Sequence, residues 1–139
     1  MQQSASCGKW TYRSLLNDPD GSLEFSKLEF GEGTLQIDTA GSAGLTGTIG
    51  GTGWALSLWG CAGNGSPAQV RFQGKGEVNG EPWVYDYIGW LVPVWPNSTS
   101  KQQRTAIVGS VVRTTPHTNG SGGISPAGVV ASFYAMRAS

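Results

Sequence analysis

The sequence is poor in the residues from which catalytic and metal centres are usually assembled, holding one histidine and two cysteines in 139 residues. Cys7 and Cys61 cannot complete a zinc site between them, and no metal is expected. They read either as one disulfide or, by default, as two inert buried thiols. A serine nucleophile needs a base and an orienting acid, and the chain has no Gly-x-Ser-x-Gly elbow to present one. The turn Gly50-Gly51-Thr52-Gly53 lacks the following helix and lysine of a phosphate loop, so it reads as a hairpin turn. No cofactor is expected.

Charge of one sign is also lacking. Nine basic and nine acidic residues give a formal net charge of zero, with no run of like charge, which removes the electrostatic footprint of nucleic-acid or anionic-membrane binding. No apolar run approaches the roughly 20 residues of a membrane span, and the polar start from Met1 to Ser6 has no hydrophobic signal region. The chain is expected in the cytoplasm, or secreted with its signal removed. Asn-x-Ser/Thr triplets at Asn64, Asn97 and Asn119 mark loops.

A sustained apolar period of 3.6 is absent as well, and the apolar segments alternate or run short between glycines, which is the pattern of strands. The sequence contains 22 glycines and six tryptophans. The glycines read as turns, bulges and bends, and the tryptophans as the bulk that fills or lines a small barrel. The expected architecture is one all-β domain over 1–139, an antiparallel up-and-down meander barrel of about eight strands, a size at which roughly two thirds of the unfolded surface can be buried. The strands are expected at 9–16, 33–38, 45–49, 54–60, 69–78, 81–92, 105–114 and 128–137.

Asn79-Gly80 between two alternating runs signals a two-residue type I′ hairpin turn, and this sets the register. Val78 then faces Glu81, Gly76 faces Trp83, Gly74 faces Tyr85, Phe72 faces Tyr87 and Val70 faces Gly89, all on one side of the sheet. Glycine opposite a bulky ring lets the ring lie over bare backbone, so this side is assigned to the lumen. The other side, with Gln69, Arg71, Gln73, Lys75 and Glu77 against Trp90, Ile88, Asp86, Val84 and Pro82, is assigned to the exterior. There Val84, Ile88 and Trp90 form an apolar patch suited to a partner or a homo-oligomer.

In a meander the connections after strands one, three, five and seven share one end of the barrel. Two of these are tight, at 50–53 and 79–80, and two are long, at 17–32 and 115–127. The last is glycine-rich, reading as a mobile connection or a lid. Segment 93–103, at the other end, reads as an ordinary loop.

Gly8-Lys9-Trp10, Gly44-Leu45-Thr46-Gly47-Thr48 and Ile107-Val108-Gly109 resemble the layout of calycin barrels of the avidin and lipocalin type, the avidin-like branch most closely. The resemblance implies a small hydrophobic or cyclic ligand in the lumen. Avidin-like barrels cover their ligand with a tryptophan from the loop between the last two strands. Loop 115–127 has none, so no ligand residues are carried over. Allene oxide cyclases and dirigent proteins are a second similar barrel group, which steers reactive intermediates in its lumen; no motif here selects it.

The candidate ligand-binding residues are Phe72, Trp83, Tyr85 and Tyr87, which either line a cavity or fill the core, with Arg113 near the mouth to anchor a carboxylate. His117 is a candidate general base by its ordinary pKa, though a lone loop histidine is more often solvated, as is a strand-end arginine such as Arg113. Asp86 falls diagonally between Arg71 and Lys75, a surface ion-pair cluster if outside and a catalytic acid if inside. The leading expectation is a binding barrel for a hydrophobic or aromatic small molecule. The alternative is a cofactor-independent isomerase or cyclase acting on a hydrophobic substrate through Asp86, His117 or tyrosine hydroxyls.

Overall fold

Strands account for nearly all regular structure in the computed structural model, which describes residues 5–63, 65–97, 99, 102–119 and 121–138. Asn64 and parts of the expected polar start and loops, at 1–4, 98, 100, 101 and 120, lie outside the described residues. The chain runs β1 (Gly8–Leu16), a 3-10 turn (Phe25–Lys27), β2 (Glu29–Ala40), β3 (Gly44–Gly51), β4 (Trp54–Gly63), β5 (Gln69–Val78), β6 (Glu81–Val92), β7 (Ala106–Arg113), β8 (His117–Thr118), β9 (Ile124–Ser125) and β10 (Val130–Arg137). Eight of these close into an antiparallel barrel in meander order, with β10 pairing with both β7 and β1, while β8 and β9 form a separate hairpin. Closure leaves no barrel edge unpaired, which removes the usual template for edge-to-edge aggregation.

The β5–β6 hairpin has the register read from the sequence, with Phe72 opposite Tyr87 and Gly74 opposite Tyr85. Its turn has positive φ at both central residues, 53° at Asn79 and 80° at Gly80, as a type I′ turn requires. Val70, Phe72, Tyr85 and Tyr87 are buried, and Arg71, Lys75, Asp86 and Trp90 are exposed. The space over the glycines is used differently from the expectation. A Cβ on Gly74 would meet Leu56 and Leu58 of β4 at 3.2 and 3.3 Å, and one on Gly76 would meet the Ala55 carbonyl oxygen at 2.6 Å and then Leu56. Gly74 therefore makes room for leucines, and Gly76 for backbone, of the neighbouring strand rather than for the facing rings.

The expected second strand begins four residues late. β2 starts at Glu29, and its pairing with β1 shifts between Ser14 and Leu15, so that Ser14 pairs with Gly31 and Leu15 with Glu29. Phe30 is the extra residue of this bulge, and a bulge breaks the alternation from which strand 33–38 was read.

The end of the barrel away from β8 is filled. Trp10 is fully buried, its Nε1 donates to the Ser6 carbonyl at 2.9 Å, and the Arg137 guanidinium lies 4.3 Å from its ring centroid. Arg137 also donates to the carbonyls of Cys7, at 2.8 Å, and Ala5, tying the N-terminal segment across this end. Leu35, Ile37, Ile49, Val70, Ile107 and Phe133 complete the packing of the core. Burial of each large apolar side chain contributes roughly 1.5–3 kcal/mol. The cysteines depart from the expected pair of buried thiols: neither forms a disulfide, Cys7 is half-buried, and Cys61 is exposed because its position on β4 alternates outward.

Candidate functional site

The opposite end of the barrel is not filled. Tyr12 and Ser14 of β1, Phe30 and Gly31 of the β2 bulge, Trp54 at the start of β4, and Trp83, Tyr85 and Tyr87 of β6 enclose a cavity of about 140 Å3. A wider vestibule of about 340 Å3 shares Phe30, Trp54, Trp83 and Tyr85 with it and is rimmed by Arg113, His117 and Glu81. Rings meet mostly edge to face around the chamber: Tyr12 with Trp54 at 6.4 Å, Tyr12 with Tyr87 at 6.2 Å, and Phe30 with Tyr85 at 6.1 Å between centroids. Phe72 does not line the cavity; it stacks on Tyr87 at 4.9 Å and holds that ring from the packed side.

The floor is dry enough to perturb its phenols. Burial pushes the Tyr12 hydroxyl up to about 12, an effect that hydrogen bonding to Ser14 and Tyr87 partly offsets. Tyr87 is raised well above its ordinary value, chiefly by desolvation and then by the neighbouring Tyr12. Both phenols stay protonated at neutral pH.

At the mouth Tyr85 pairs across the β6–β7 ladder with Arg113, which puts both side chains on the lumen side. Arg113 Nε donates to Tyr85 Oη at 3.1 Å, and Tyr85 Oη lies 2.7 Å from His117 Nε2. His117 Nδ1 lies 3.0 Å from the Thr118 carbonyl oxygen. A carbonyl only accepts, so Nδ1 carries the proton; a neutral ring then offers Nε2 as acceptor, and Tyr85 donates to it. These proton positions are assigned from the chemistry of the partners. The chain Arg113 to Tyr85 to His117 to Thr118 thus has one direction of donation throughout.

His117 is 7% exposed and its ring stacks on Trp83 at 4.1 Å. Arg113 is 8% exposed, donates through Nη1 to the Pro126 carbonyl at 3.2 Å, and lies 5.0 Å from the Phe30 centroid. The solvated histidine and solvated strand-end arginine expected from sequence are both corrected. The β8–β9 hairpin folds loop 115–127 back over the mouth and carries His117 inward. Glu81 fastens that hairpin by accepting from the Thr118 amide at 3.2 Å and from the Thr118 hydroxyl. These bonds, the hydroxyl's first and then the amide's, lower the Glu81 carboxyl below its ordinary value.

Asp86 is apart from this site. It is on the outer face and accepts from Gln73 Nε2, directly opposite in register, at 2.7 Å. The expected Arg71–Asp86–Lys75 cluster does not form: among the described residues the one ion pair is Arg13–Glu32, at 3.8 Å. Asp86 is already satisfied by its direct cross-strand partner, and diagonal neighbours lie farther away. The lumen therefore brings together Trp83, Tyr85, Tyr87, Arg113 and His117, with Phe72 behind them and Asp86 outside.

Trp83 Nε1 is buried without a hydrogen-bond partner. Of the two such side-chain atoms among the described residues, the other being Thr115 Oγ1, it alone belongs to a residue lining the cavity. A buried donor left unpaired costs about 1–3 kcal/mol.

The architecture is that of a closed eight-stranded antiparallel meander barrel with an open upper lumen. Comparison with protein-family models, curated proteins and solved structures returns no match.

Proposed function

We propose that this protein is a small-molecule binding barrel, of the calycin type in its broad plan, which takes a compact aromatic or hydrophobic ligand into the upper lumen. The observation that carries this reading is the 140 Å3 chamber walled by aromatic rings at the unfilled end of the barrel. A dry apolar cavity of about 150 Å3 is large enough to hold benzene, and here the vestibule offers room for a second ring or a substituent.

Gly31 supplies a clean test. A Cβ there would meet only Ser14 Oγ at 3.3 Å and Tyr12 Cε1 at 3.8 Å, so Gly31→Leu sends its side chain into the chamber without striking backbone. Saturable quenching of tryptophan fluorescence by one- and two-ring aromatics is expected in the parent chain and absent from Gly31→Leu. Equal quenching in both proteins would place any binding elsewhere.

A second reading, a cofactor-independent isomerase or cyclase, is favoured by the Tyr85–His117 contact. A phenol held between a guanidinium N–H and an imidazole can pass a proton to or from a confined substrate. Turnover of a bound hydrophobe that is lost in both Tyr85→Phe and His117→Gln, with binding kept, would support this second reading. Undiminished turnover in those variants would remove it.

A further inference from the structure

We infer that the ligand is a planar cyclic carboxylate, its ring held beside Trp83 and Tyr85 and its carboxylate received by Arg113 at the mouth. This rests on the lumen reading above and adds the charge of the ligand to it.

The Arg113 guanidinium, in a side chain that is 8% exposed, has lost most of its hydration, and a buried cation persists only with compensation. What it has is partial. Nε is used by Tyr85, Nη1 by the Pro126 carbonyl, and the ring faces of Phe30 and Tyr85 lie 5.0 and 5.8 Å away. Its remaining N–H donors have no further partner among the described residues, and no carboxylate lies within ion-pair distance. Arg113 borders the vestibule. A planar fork of N–H groups facing an opening matches a carboxylate, whose two oxygens it can engage side by side.

The other charged or titratable groups around the vestibule leave this position open. Glu81 is the only carboxylate on its rim among the described residues, and both of its oxygens are taken up by Thr118. His117 turns its two ring nitrogens to Tyr85 Oη and the Thr118 carbonyl. Glu81 keeps its charge but is held by Thr118 rather than by Arg113, so an incoming anion meets a guanidinium with no carboxylate within ion-pair distance among the described residues.

The ring follows from the walls. Trp83, Tyr85, Phe30 and Trp54 line both the chamber and the vestibule, so a flat ring lies among them while its acid group stays at the mouth.

Matched probes test this: 2-naphthoate against the neutral 2-naphthamide, titrated at pH 7 by fluorescence and calorimetry. A charge-assisted hydrogen bond predicts that the acid binds roughly ten- to a hundredfold tighter than the amide. Arg113→Gln should abolish that preference. The outer-face control Arg13→Gln should keep the preference. If Arg113→Gln does not fold, Arg113→Lys, with charge but no fork, should retain a reduced preference. Equal binding of acid and amide by the parent chain, or a preference unaltered by either Arg113 variant, overturns the inference while leaving the lumen reading intact. Failure of both probes to bind overturns the two together.

Discussion

Tyr85 Oη and His117 Nε2 lie 2.7 Å apart although 32 residues separate them in the chain. The contact joins the barrel wall to the hairpin covering its mouth, and Arg113 supports it from β7. Replacing Tyr85 by phenylalanine leaves a buried histidine nitrogen and a buried guanidinium N–H without their partner. Chemical denaturation of Tyr85→Phe should show a loss of about 1–3 kcal/mol. No loss would mean that the network does not hold in solution.

The hairpin's other fastening is acid-sensitive. Folding lowers the Glu81 carboxyl below its ordinary 4.5, so its contribution is present above that value and is lost as pH falls through the lower, folded one. The Thr118 amide resonance, followed by NMR, should titrate with a midpoint below 4.5. In Glu81→Gln that transition should vanish. A midpoint at or above the ordinary value would contradict the bonding described.

The chamber floor is base-sensitive with the opposite sign. Tyr12 is raised from 10.0 to about 12 on folding, so its contribution is complete below pH 10 and disappears as pH rises toward 12. The shift corresponds to about 2–3 kcal/mol. Alkaline unfolding curves should show this decline, and Tyr12→Phe should flatten it in part, because the raised Tyr87 remains. An identical decline in the variant would remove Tyr12 as its source.

The ladder between β6 and β7, which pairs Tyr85 with Arg113, depends on close backbone approach at Gly109. A Cβ there would lie 1.8 Å from the Ile88 carbonyl oxygen and 2.7 Å from Gly89 Cα. Both obstacles are backbone, so Gly109→Ala should cost more than about 3 kcal/mol and weaken ligand binding through the displaced Arg113. Gly41→Ala, with open space around its Cβ but a φ of 74°, should cost only about 1 kcal/mol.

Barrel closure and the inward face of the β5–β6 hairpin were legible because Asn79-Gly80 sets parity, and parity assigns Phe72, Tyr85 and Tyr87 together. Trp54 was within reach of the same reasoning, since it follows a tight turn at the mouth. Tyr12 and Ser14 alternate with Trp10 along β1 and share its inward face. Phe30 was hidden because a bulge inserts a residue and flips the alternation. His117 was a candidate from the sequence, but its burial was hidden for another reason: the ring stacks on Trp83 only when a short polar hairpin, held by Glu81, folds back, and neither residue is near it in sequence.

The most direct measurement is the set of intermolecular NOEs between bound 2-naphthol and the aromatic protons of the protein. Occupation of the lumen predicts contacts with Tyr12, Tyr87 and Trp83. Contacts confined to outward residues such as Trp59, which is 76% exposed, would contradict it.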